Sequence, residues 1–276
     1  MTLTIGISPC PNDTFIFDAI YNHRINTNGL QFQFELMDVE QLNREAAKGS
    51  FDVTKLSYYA FTQMTHVYQM LRSGGALGHN CGPLLVAARA GFVPDADSKI
   101  AIPGWHTTAH FLMSKAFPFL NNKKEVLFSD IEDRVLSGEF DAGLIIHESR
   151  FTYRDKGLFL IKDLGEFWEE ETHTPIPLGG IVIKRSFPEE VKTAVNRLVA
   201  ESVQYAFNHP EISLPFIMDH AQEMKKEVVD AHISLYVNQR SIDLGPDGLK
   251  GVDMLFAQLP LNTDKNKLTY PLFVDA

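Results

Sequence analysis

Leu3-Thr-Ile-Gly-Ile7, Ser8-Pro-Cys-Pro-Asn-Asp13 and Thr14-Phe-Ile-Phe-Asp-Ala-Ile-Tyr-Asn22 open the chain as a strand, a turn and a helix. Leu3 to Ile7 alternates as a strand does, whereas Phe15, Ile16, Ala19 and Ile20 recur at helical spacing, with Asn12 or Asp13 placed to cap that helix. The pattern then repeats. Leu30 to Leu36 has period two, and a helix from about 39 to 48 ends at Gly49. A short strand through Val53 and Leu56 leads into a helix near 57–66. Strand candidates at 69–72 and 84–88 bracket Ser73-Gly-Gly-Ala-Leu-Gly78, which reads as a flexible connection.

After the Pro/Asp/Ser-containing stretch 93–98 a second unit begins. It is predicted as a strand at 99–103, a helix at 107–117, a strand at 125–128, a helix at 131–137 and strands at 140–146 and 158–163. Residues 175–184 return as a strand. Helical spacing follows over 189–208 and twice more over 214–236, then a last helix and a Pro271-containing tail. Strand–helix alternation predicts α/β architecture with largely parallel sheets. Two such units, joined near 88–98 and 175–184, predict a bilobed, hinged molecule. Residues 1–93 and 180–276 would form a discontinuous first lobe, and 94–179 the second.

Composition narrows the function classes. Apolar residues make up 45% and charged residues 22% of the 276, an ordinary globular balance. Apolar runs such as Ala142 to Ile146 fall far short of the ~20 residues that span a bilayer. The formal net charge is −10, and no basic stripe argues for nucleic acid. The N-terminus carries no basic or apolar secretory pattern, and Cys10 and Cys81 show no disulfide framework or metal-ligand spacing. A cytoplasmic protein with reduced thiols is expected.

Several signatures fail. His106-Thr-Thr-Ala-His110 has zincin spacing, but Thr107 stands where the general-base Glu belongs, so no metal is expected. Gly74 to Gly78 lacks the Lys-Ser/Thr of a P-loop, and no G-x-S-x-G elbow occurs. What remains is polar residues at predicted strand ends, where open α/β sheets collect ligands. Ser8 to Asp13 is either a proline-fixed turn or a ligand loop. Lys55 and Ser57, two apart, face the same way on an extended backbone and suit a carboxylate; a solvated Lys with an N-capping Ser fits the spacing equally. Gly104-Trp-His-Thr107-Thr108 opens a helix, so it is either an anion or hydroxyl site or a plain Thr cap. His147 breaks abruptly from the buried strand Ala142-Gly-Leu-Ile-Ile146, and an imidazole of pKa ~6.5 can accept a proton near neutrality.

Taken together, Ser8-Pro-Cys-Pro-Asn-Asp-Thr-Phe-Ile-Phe17, Thr54-Lys-Leu-Ser-Tyr58, Leu71-Arg-Ser-Gly-Gly-Ala-Leu-Gly78, His106-Thr-Thr-Ala109 and Gly143-Leu-Ile-Ile-His-Glu-Ser-Arg-Phe-Thr-Tyr153 resemble the 1,4-dihydroxy-6-naphthoate synthase family of the futalosine route to menaquinone. Pro177-Leu-Gly-Gly180 and Tyr236-Val-Asn238 also fit. The resemblance implies a two-lobed, type II periplasmic-binding-protein-like fold with a hinged central cleft. It implies cleavage of cyclic dehypoxanthine futalosine, a small aromatic carboxylate, to 1,4-dihydroxy-6-naphthoate and dihydroxyacetone without a cofactor. By motif, His147 is the proton acceptor, and Lys55, Leu56, Ser57, Thr107 and Thr108 contact substrate. Ser8, Asn12, Arg72 and Arg150 are further candidates, and Tyr58, Tyr59 or Trp105 could pack on the substrate ring or in the core. A solute-binding protein on the same fold, or chorismate dehydratase of the same pathway, are the rival expectations.

Overall fold

The computed structural model describes residues 1–221, 225–259 and 271–275. The chain begins with β1 (Thr2–Ile7), α1 (Pro11–Tyr21), β2 (Gln31–Leu36), α2 (Val39–Ala47), β3 (Val53–Ser57), α3 (Tyr58–Met64), β4 (Tyr68–Met70) and β5 (Ala76–Gly78). It continues through β6 (Leu84–Ala87), β7 (Ile100–Ile102), α4 (Thr108–Ala116), β8 (Lys123–Glu125), α5 (Ile131–Leu136), β9 (Ala142–Ile145), α6 (Ser149–Thr152), β10 (Phe159–Asp163) and α7 (Leu164–Thr172). β11 (Ile176–Lys184), α8 (Glu189–Asn208), α9 (Pro210–His220), α10 (Lys226–Tyr236), α11 (Gln239–Ile242) and α12 (Gly245–Ala257) complete it. No helix among the described residues is long and apolar enough to cross a membrane.

Two sheets carry the two lobes. The first runs β2-β1-β3-β11-β4 with β5 added onto β11, and the second runs β10-β6-β9-β7-β8. Leu3, Ile5 and Ile7 of β1 join Phe15, Phe17, Val195, Leu198 and Val199 in a core between the first sheet and the C-terminal helices. Helix α1 is buried along nearly its whole length because α8, α9 and α10 cover the side turned away from the sheet. Its start is set by Pro11, whose missing N–H is lost without cost at that position.

Four expectations are corrected. The sheets are mixed, not largely parallel: β1 pairs in parallel with β2 and β3, but β11 runs antiparallel to β3, β4 and β5, and β6 antiparallel to β9 and β10. β6 and β11 are the strands entered from the other lobe, so no βαβ crossover dictates their direction. The lobe boundaries also move. β6 already belongs to the second sheet and β11 belongs to the first from Ile176, so the chain changes lobes within 79–83 and 164–175, not at 93/94 and 179/180. The Pro/Asp/Ser stretch behind the earlier boundary is a surface loop of the second lobe. The Gly-rich run is no flexible connection. Ala76 to Gly78 form β5, Ser73 Oγ donates to the Asn196 carbonyl at 2.7 Å, and the Gly74 N–H donates to the Ser241 carbonyl at 2.8 Å. The strand expected at 125–128 is instead β8 followed by a 3-10 turn at Phe128–Asp130. The predicted tail falls partly on 260–270, outside the described residues; beyond it Val274 donates its N–H to the Met70 carbonyl at 2.8 Å.

The two passages touch at Gly82 and Gly165. A Cβ on Gly82 would lie 2.1 Å from the Gly165 nitrogen, an impossible contact with main chain that cannot swing aside. Gly82→Ala is therefore expected to destabilise by at least the ~1–3 kcal/mol typical of overpacking. At about 2–4 °C per kcal/mol, a thermal melt resolves this; an unchanged midpoint would show that the crossing is loosely packed.

Candidate active site

The lobes face each other across a cleft walled by Asn12, Lys55, Ser57, Thr107, Thr108, Ala109, His147, Leu178 and Tyr236 among others. They are in hydrogen-bond contact at its rim. Thr108 Oγ1, on the second lobe, donates to the Leu178 carbonyl at 2.9 Å and accepts from the Tyr59 N–H at 3.2 Å. Glu40 of α2 accepts from His106 across the same seam, with its Oε1 2.6 Å from His106 Nδ1. Gly104 leaves the room: a Cβ there would sit 2.4 Å from the Glu40 carboxylate.

β3 supplies the first-lobe wall by its alternation. Lys55 and Ser57 point into the cleft, while the Leu56 side chain turns the other way into the core and is fully buried. Leu56 is therefore no side-chain contact, a direct result of the two-residue strand period. Ser57 does not cap α3. It accepts a hydrogen bond from Asn43 Nδ2 at 3.2 Å, which leaves its O–H to donate to a ligand. Lys55 reaches the cleft but is ion-paired with Asp13, and both side chains are almost fully buried. Asp13 leaves the start of α1 without capping it. Its carboxylate accepts from Ser8 Oγ at 2.7 Å, the Ser8 N–H at 3.1 Å and Asn12 Nδ2 at 2.7 Å. Ser8 thus positions Asp13 and does not line the cleft.

α4 supplies the opposite wall. Thr107 caps it, accepting from the His110 N–H at 3.1 Å and donating to the Gly104 carbonyl at 2.8 Å. With both threonine hydroxyls engaged, what this wall offers an anion is the first-turn N–H groups at the positive end of the helix. Two candidate arginines lie elsewhere. Arg72 pairs with Asp243 at 3.0 Å. Arg150 binds Asp163 at 2.6 Å and the carbonyls of Gly82 and Asn80, pinning the interlobe passage. Of the aromatics weighed, Tyr58 is core, Tyr59 stacks on Phe111 at 5.1 Å, and the exposed Trp105 packs against His110.

His147 follows β9 directly, with a left-handed backbone (φ 57°). Such conformations cost roughly 1–3 kcal/mol in a non-glycine residue and concentrate at functional sites. The ring lines the cleft, yet its Nε2 is closed off and has no hydrogen-bond partner. Phe128 meets it edge-on at 5.0 Å, and the ring of His232 lies parallel to it at 6.1 Å. Burial lowers the His147 pKa to about 4; nearby Asp13 opposes the shift and Lys55 adds to it. His232 is fully buried and also lowered, by burial first and then by His147 and Lys55. Its Nε2 lies 3.0 Å from Asn12 Oδ1, and it packs on Tyr236, whose hydroxyl burial raises. At neutral pH both imidazoles are uncharged.

The structure therefore brings together Asn12, Lys55, Ser57, Thr107, Thr108 and His147, and leaves Ser8, Leu56, Arg72 and Arg150 out of the cleft lining. Asp13, Asn43, His232 and Tyr236 were missed. Asp13 was visible only as a possible cap; His232 and Tyr236 stand four apart on one face of α10, a spacing that helical periodicity alone assigns to core.

The two depressed histidines have a consequence for stability. The unfolded chain binds their protons near the ordinary value of 6.5, the folded chain only near about 4 for His147 and also below the ordinary range for His232. Between those values the unfolded state holds more protons, so stability is full above about pH 6.5 and falls as pH drops toward 4. Urea melts at stepped pH should show this slope, and it should shrink in His232→Gln. A pH-independent midpoint across that window would contradict the lowering of both histidines.

Comparison with known proteins places the chain. A family model described as menaquinone biosynthesis matches residues 3–260. The 1,4-dihydroxy-6-naphthoate synthase of Thermus thermophilus is 45% identical over 273 residues, covering 99% of each chain. That of Streptomyces coelicolor is 41% identical over 260 residues, 91% of this chain and 90% of its own. Among solved structures, protein AF1704 from Archaeoglobus fulgidus superposes with a TM-score of 0.89 at 30% identity, covering 93% of this chain and 96% of that one. The Candida albicans CA3427 gene product, described as having the generic periplasmic binding protein fold, reaches 0.70 at 15% identity over 96% and 93%. This likeness shows the two-lobed fold.

Proposed function

The chain belongs to the 1,4-dihydroxy-6-naphthoate synthase family of menaquinone biosynthesis, and from that premise we infer that it cleaves cyclic dehypoxanthine futalosine to 1,4-dihydroxy-6-naphthoate and dihydroxyacetone with His147 as the proton acceptor. The observation carrying the residue assignment is an uncharged imidazole, lowered to about 4, at the wall of an interlobe cleft. A base must be unprotonated to work, and this one is so throughout the physiological range.

The substrate is an aromatic carboxylate joined to a ring derived from a sugar. Its carboxylate needs a positive partner. Lys55 is already neutralised by Asp13, so the α4 N-terminus beside Thr107 and Thr108 takes that role, with Ser57 donating its hydroxyl. His147 then removes a proton from the sugar-derived part, and the electron pair drives carbon–carbon fragmentation as the bicycle becomes aromatic. The contact between lobes at Thr108 excludes water from the intermediate. The reading includes a cytoplasmic setting, in keeping with two buried, free cysteines.

Incubation with cyclic dehypoxanthine futalosine followed by mass analysis tests the activity. Equal amounts of 1,4-dihydroxy-6-naphthoate and dihydroxyacetone are expected. Saturable binding with no product would instead make the protein a receptor, and turnover of chorismate would make it a dehydratase.

A further inference from the structure

Cys10, His147 and Glu148 meet where the two lobes touch. Cys10 follows β1 in the first lobe; His147 and Glu148 follow β9 in the second. One thiol, one imidazole nitrogen and one carboxylate oxygen from these residues all lie within 4.8 Å of one another. Cys10 and Glu148 are buried, and the closed-off Nε2 of His147 has no partner. No sequence spacing announces this group, because its members come from opposite lobes.

We infer that Cys10, His147 and Glu148 form a site for a thiophilic divalent cation of the zinc class, which would tie the lobes together and withdraw His147 from catalysis. Sulfur, imidazole nitrogen and carboxylate oxygen are the donors such a cation prefers. Tetrahedral bonds of about 2.0–2.3 Å place donor atoms roughly 3.6 Å apart, so the three donors, now within 4.8 Å of one another, would draw together by about an ångström on binding. Of the three, His147 also lines the cleft, so a cation held here would sit at the cleft wall. Binding replaces the thiol proton: the Cys10 S–H bond breaks, its electron pair goes to the metal, and the proton leaves to solvent. The imidazole donates its lone pair in the same event and can no longer accept a proton from substrate. The inhibitory consequence depends on His147 being the base, whereas the binding does not.

Cobalt(II) is the probe, because a thiolate bound to it gives a near-ultraviolet charge-transfer band. Titration of the metal-free protein should produce that band with one equivalent, and zinc should abolish it by displacement. Cys10→Ser and Cys10→Ala should lose the band, while Cys81→Ser keeps it; circular dichroism checks that each variant is folded. Glu148→Gln should weaken zinc binding by at least about tenfold, since even outer partners of metal ligands matter that much. Absence of the band in the unaltered protein, or unchanged zinc affinity in both Cys10 variants, would overturn the site. A band accompanied by undiminished turnover would overturn the inhibitory half and count against His147 as the base, so the two failures are read separately.

Discussion

His147→Asn should lower kcat by about 10²–10⁴, the usual contribution of a positioned general base, while leaving KM nearly unchanged. Asparagine is the better substitution because it tolerates the left-handed backbone at this position (φ 57°), where most residues would add strain. Fold should survive, since His147 Nε2 makes no hydrogen bond whose loss would be felt. KM should hold because the proposed mechanism assigns the grip on substrate mainly to the α4 N-terminus and Ser57, which the substitution does not touch. Steady-state kinetics on a variant with an unaltered circular dichroism spectrum reads the result. Near-normal kcat would remove His147 from the chemistry.

Asp13→Asn should produce the largest loss of stability among single substitutions near the cleft. The carboxylate holds Ser8 through two hydrogen bonds, Asn12 through one, and the buried Lys55 ammonium through an ion pair. Removing one partner of a buried pair leaves the other charge desolvated and uncompensated, a cost of about 3–5 kcal/mol. The melting midpoint should fall by roughly 10 °C. Replacing both partners with apolar residues, as in Asp13→Leu with Lys55→Met, should recover part of that loss, because the lone charge is then gone. If the single substitution left the midpoint unmoved, Lys55 would have another route to solvent or to a second anion, and its assignment as a neutralised cleft residue would fail.

The strongly periodic segments were legible from sequence. Leu30 to Leu36 became β2, and the helical spacing of 189–208 became α8 without displacement, because each pattern repeats long enough to leave one solution. α7 went unread: Leu164 to Thr172 carries four glutamates and a weak apolar stripe, and its fixed point is the Asp163 side chain accepting from the Gly165 N–H at 2.8 Å. β5 was hidden by the glycines that allow it to lie against β11 and Tyr58. In the site, strand ends pointed to Lys55, Ser57 and His147, since loops beyond strands face the cleft. Local sequence could not show that Lys55 is already paired, nor that Arg72 and Arg150 are bound to Asp243 and Asp163. Those partners stand 42, 171 and 13 residues away, and only the fold brings them together.

Whether the imidazole works uncharged is read most directly from kcat/KM against pH, which reports ionisation of the free enzyme. The lowered His147 pKa places the acid limb near about 4, with activity level through neutrality. A limb at or above the ordinary value of 6.5, or one that persists unchanged in the residual activity of His147→Asn, would contradict a neutral His147 with a lowered pKa as the group that takes the proton.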